Sequence, residues 1–106
     1  MAWLYLIIAG LMEIGWPLGL KLSQTTNHKI GGIVLAAVCM IGSGGLLWLA
    51  QREISIGTAY AIWTGVGAVG TLLVGILMFG DSTNAVRIAS ALLIVAGMVG
   101  LKLTHA

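Results

Sequence analysis

Ala2-Trp3-Leu4-Tyr5-Leu6-Ile7-Ile8-Ala9-Gly10-Leu11-Met12-Glu13-Ile14-Gly15-Trp16-Pro17-Leu18-Gly19-Leu20 is an apolar run broken by one charged residue, Glu13, close to its middle. About 20 apolar residues suffice to cross a hydrocarbon core of roughly 30 Å, so the run reads as a membrane span. A carboxylate at the centre of such a span costs on the order of 3 kcal/mol or more on insertion scales. No lysine or arginine lies within the run to offset that cost. In a soluble domain a buried acid is most often a hydrogen-bonded structural residue. In a membrane span it marks function, and Glu13 calls for a proton or a cation.

The neighbours of Glu13 support this reading. Trp16 stands three positions on, one helical turn away, so its indole N–H can reach the carboxylate. Pro17 has no amide proton, which leaves the carbonyl of Glu13 without its usual helical donor. Polar backbone is then open to cavity water or a ligand beside the acid; an ordinary kink explains Pro17 equally well.

The chain has 106 residues, 59% hydrophobic and 8% charged, far from the composition of a soluble domain. It reads as one all-α integral membrane domain over residues 1–106, with no separate soluble domain. Its N-terminus lacks a basic segment and a small-residue cleavage site, so the first run is expected to persist as a helix. The lone Cys39 allows no intrachain disulfide and no cysteine metal cluster, and neither a metal nor a cofactor is expected. A net charge of +2 is too small and too scattered for a nucleic-acid surface.

Four apolar segments follow one another, with spans expected roughly over 2–20, 30–50, 54–79 and 85–103. The fourth contains only a short uncharged stretch and spans if Arg87 and Lys102 reach the two interfaces with their charged heads. Short loops predict an up-and-down arrangement of antiparallel helices. Lys21, Lys29 and Arg87 then fall on one side, and Arg52 and Lys102 on the other. The five basic residues divide three against two, which gives almost none of the asymmetry that normally orients a membrane protein. Such a chain is free to insert both ways round.

Glycines lie within the helices. Gly42-Ser43-Gly44-Gly45 is expected to interrupt the second, and Gly65-Val66-Gly67-Ala68-Val69-Gly70 the third. The latter has the letters of a dinucleotide fingerprint but no preceding strand, no βαβ unit and no later acid. Close packing accounts for most of these glycines, and three in so short a run also suggest a hinge. Just upstream, Tyr60 and Trp63 share a helix face. Trp3, Tyr5 and Trp48 suit an interfacial aromatic belt, whereas Trp63 is deeper, where an aromatic face can line a cation site.

Taken together, the embedded Glu13 and the block Gly57-Thr58-Ala59-Tyr60-Ala61-Ile62-Trp63-Thr64-Gly65-Val66-Gly67 resemble the small multidrug resistance family of four-helix transporters, over essentially the whole chain. Trp16 after Glu13, Lys21 after Gly19-Leu20, Ser43, and Gly100-Leu101-Lys102 are similar to the guanidinium-exporting subtype. The resemblance implies an antiparallel, dual-topology homodimer in a bacterial cytoplasmic membrane. It implies that Glu13 binds both proton and substrate, with Trp16, Ser43, Tyr60 and Trp63 as the network around it. It implies export of guanidinium-type cations driven by protons. Gly44, Ser90 and Pro17 depart from the residues usual in the family. The rival expectations are a multidrug or quaternary ammonium exporter of the same fold and a non-transporting membrane-assembly subunit. A membrane enzyme finds no nucleophile–base pair to support it.

Overall fold

In hydrocarbon every backbone N–H and C=O must be paired within its own segment, so apolar runs of this length become helices. The computed structural model describes residues 1–104 and contains α1 (Ala2–Thr25), α2 (Lys29–Ala50), α3 (Ile56–Phe79) and α4 (Ala85–Leu103). All four are long and apolar enough to cross a membrane. The C-terminal His105 and Ala106 lie outside the described residues.

Polar side chains decide where the helices stop. α1 runs one turn beyond the apolar stretch because Thr25 and Thr26 return their hydroxyls to the carbonyls of Lys21 and Leu22, at 2.9 and 2.6 Å. α3 ends at Gly80, whose φ of 69° is the left-handed value that terminates a helix, and which is the one positive φ among the described residues. The amide of Asp81 then donates back to the carbonyl of Gly75 at 3.1 Å. α4 begins where Asn84 accepts from the amide of Arg87 at 3.0 Å, an N-cap contributing about 1 kcal/mol.

The two expected interruptions do not occur: α2 and α3 are continuous through their glycines. Gly42 in α2 and Gly65, Gly67 and Gly70 in α3 are instead points of close approach. A methyl group on Gly42 would collide with Met12, one on Gly70 with Ile14, and one on Gly65 with Met98. α1 likewise continues through Pro17. A lone proline removes one hydrogen bond from a helix of this length, and neighbouring turns carry the rest.

α1 is the hub. It packs along α2 and against α3, α2 and α3 barely touch, and α4 rests mainly on α3. α1 and α2 cross most tightly where Gly19 faces Gly32, and a Cβ on either would stand 2.5 Å from the other's carbonyl oxygen. The buried apolar cluster gathers at the opposite end, from Ala2, Leu6, Ala50, Ile54, Ala59 and Ile62. Lys102 at that end lies 5.1 Å from the ring centre of Trp3, and Arg52 lies 5.8 Å from that of Trp48. Both tryptophans expected in the interfacial belt thus have a cation beside the ring.

Candidate functional site

Glu13 sits half-buried on α1. The indole Nε1 of Trp16 donates to its Oε1 at 2.7 Å, the contact expected from the three-residue spacing. α3 presses against the same side chain through Gly67, where an added Cβ would stand 2.6 Å from Glu13 Cγ. Only glycine lets α3 approach this closely. Between the two helices lies a cavity of about 320 Å³ lined by Glu13, Trp16, Pro17, Thr64, Gly67, Ala68 and Thr71. Among the described residues Trp16 is the one hydrogen-bond partner of the carboxylate, so its second oxygen is available to a ligand.

A second set forms around Ser43, whose side chain is completely buried on α2. Its hydroxyl donates to the carbonyl of Ala9 at 2.6 Å and accepts from Trp63 Nε1 at 2.8 Å. One hydroxyl therefore ties α1, α2 and α3 together. Tyr60 leans on Trp63 with ring centres 5.4 Å apart at 50°, a tilted contact. Tyr60 is more than half exposed, so its phenol stands at the edge of this set. All five expected site residues thus lie in two groups, Glu13 with Trp16 and Ser43 with Trp63 and Tyr60. No hydrogen bond joins the groups among the described residues; α1 connects them, with Ala9 one turn before Glu13.

Chemically, the arrangement can hold a cation or a proton. A carboxylate offers about four lone-pair positions, and the indole occupies one of them. The described residues bring no three histidine, cysteine or acidic side chains together as a metal would require.

The pattern of the family described as Small Multidrug Resistance protein matches residues 1–94. The chain is 46% identical over 106 residues to the guanidinium exporter of Escherichia coli K12, covering 99% of this chain and 100% of that one. It is 45% identical, with the same coverage, to the guanidinium exporters of Citrobacter freundii and Salmonella typhimurium. The chain belongs to the small multidrug resistance family. With its four apolar helices it is a multi-pass membrane transport protein.

Sequence reasoning passed over two residues that this small multidrug resistance protein places beside Glu13. Thr64 and Thr71 line the same cavity from α3. Their positions, together with Gly67 and Ala68, follow the three- and four-residue steps of one helix face. That polar and small stripe was the available signal.

Proposed function

We propose that this protein is a proton-coupled antiporter that exports guanidinium and small substituted guanidinium cations by alternating access. It would act in the bacterial cytoplasmic membrane as an antiparallel homodimer. The observation that carries the reading is a membrane-embedded carboxylate, oriented by an indole N–H at 2.7 Å, with its other oxygen unpaired beside a cavity. The names of relatives at 45–46% identity over the full length support guanidinium as cargo.

The chemistry follows from competition. Two Glu13 carboxylates meeting within the membrane repel one another, and a proton or a cation relieves that repulsion. Because both use the same oxygens, a bound guanidinium displaces a proton. If only the loaded dimer switches between its two openings, a proton gradient drives the cation outward. A planar guanidinium suits the site because its fork meets a carboxylate on two oxygens while aromatic rings cover its faces. No covalent step is required, and the reading is transport rather than catalysis.

A second reading keeps the fold and enlarges the cargo. A Cβ built on Gly44 meets nothing within 4 Å, so α2 presents an open, side-chain-free surface there, as an exporter of bulkier quaternary ammonium ions would favour. Trp16 opposes this by filling space next to Glu13. Purified protein in detergent, mixed with guanidinium or with tetraethylammonium, separates the two. Proton release on guanidinium alone supports the first reading, and equal release on both supports the second. Glu13→Gln should fold and give neither proton release nor binding; full transport by that variant would remove the carboxylate from the mechanism.

A further inference from the structure

The cavity at Glu13 does not end there. Pro17 and Thr71 also line a second cavity of about 270 Å³, which continues between α1 and α3 to Lys21 and Asp81. The two cavities form one furrow from mid-membrane to the end of the chain where α1 and α3 finish. In the other direction the buried cluster of Leu6, Ala59 and Ile62 closes the way. The furrow therefore opens toward one face of the membrane.

Beside the second carboxylate oxygen of Glu13 and the hydroxyl of Thr64, two more polar groups of the lining residues lack an ordinary partner. One is the carbonyl of Glu13, deprived of its donor by Pro17. The other is the hydroxyl of Thr71. Thr25, Thr26, Ser90 and Thr104 all bond back to the carbonyl four residues earlier. Thr71 has no such bond or any other among the described residues. Unpaired polar groups in hydrocarbon cost several kcal/mol each unless water reaches them. Each cavity has volume for several waters, at about 30 Å³ apiece.

We propose that the furrow between α1 and α3 is the water-filled path by which the proton on Glu13 leaves toward the Lys21 and Asp81 end, with Thr71 as the positioning residue for its waters. The inference rests on the proton-coupled reading above. When guanidinium takes the carboxylate oxygens, the displaced proton passes to a furrow water rather than to a protein side chain. The Thr71 hydroxyl accepts from one water and donates to the next. In an antiparallel pair one copy's furrow opens to each side of the membrane. Alternating access then joins the shared site to one of the two furrows at a time, so the proton leaves only on the side that is open.

The test has two arms on the full-length protein. The first follows proton release by stopped flow after guanidinium addition. Thr71→Val keeps the shape and removes the hydroxyl, and should slow release by about tenfold or more, as a lost proton relay does. Thr71→Ser should restore the rate. The second arm places cysteines in a Cys39→Ala background and measures labelling by a water-soluble, charged thiol reagent. Thr71→Cys should react much faster than Leu73→Cys, which faces away on the same helix. Equal, slow labelling of both would mean that lipid chains fill the furrow and would overturn the proposal. Unchanged release rates in Thr71→Val would overturn it as well. Absence of proton release from the unmodified protein is a different result: it overturns the antiport reading itself, whatever the labelling shows.

Discussion

At the scale of single residues, the candidate site contains two tryptophan N–H groups with different acceptors. Trp16 donates to a carboxylate, and Trp63 donates to a buried hydroxyl. Hydrogen bonds to charged groups contribute about 1.5–3 kcal/mol, so Trp16→Phe should weaken guanidinium binding roughly tenfold to a hundredfold. Calorimetric titration at one pH checks this, and an unchanged affinity would show that the indole does not orient the acid. Ser43→Ala leaves the Trp63 N–H buried without an acceptor, at a cost of about 1–3 kcal/mol. Ser43→Ala, Trp63→Phe and the double variant should therefore be non-additive: the double should lose little more than the worse single, because both remove the same bond. The Glu13–Trp16 bond was legible from a spacing of three, since helix geometry alone brings those side chains together. The bond between Ser43 and Trp63 was not, because it spans two helices whose crossing no local pattern encodes. Resemblance supplied those residues, and the hydrogen bonds supply their physical connection.

At the scale of elements, the glycines carry most of what the sequence left open. Composition could not separate a hinge from a contact, because both want a missing side chain. The neighbours separate them: Gly42 lies under Met12, Gly65 under Met98, Gly67 under Glu13 and Gly70 under Ile14, all within unbroken helices. Helix ends were similarly hidden where polar residues continue a helix past its apolar part, as Thr25 and Thr26 do at the end of α1. The crossing of Gly19 and Gly32 is the tightest contact between α1 and α2 that involves backbone on both sides. Gly19→Ala should push the helices apart and destabilise the fold by about 1–3 kcal/mol, the usual cost of overpacking. Gly31→Ala, whose new methyl would meet only the His28 Cβ at an ordinary 3.8 Å, should be neutral or slightly stabilising through helix propensity. Unfolding in mixed micelles of increasing SDS fraction compares the two. Equal stability would mean that α1 and α2 are free to slide at that crossing.

At the scale of the whole molecule, the described helices form a flat slab of 47 × 34 × 16 Å, and α4 buries none of its residues within the chain. The four spans were legible because long apolar runs leave a membrane chain no other choice. The orientation of those spans depends on a handful of charges. A parallel pair of identical chains would place both copies of every loop on one side, and the positive-inside bias would then leave a clear imbalance of lysine and arginine. This chain divides its five basic residues three against two, with Lys21 near one interface and Lys102 near the other. The antiparallel pair proposed above accounts for that balance, since each loop then occurs once on each side. Two lysines added after Leu103 should fix the C-terminus in the cytoplasm, and two added at Asn27 should fix it outside. Each biased chain alone should then lose most guanidinium transport, because it has no oppositely oriented copy to complete the site. Producing both biased chains in the same cells should restore transport. Full activity from either biased chain by itself would exclude the antiparallel pair, since a single orientation would then be enough to build a working site.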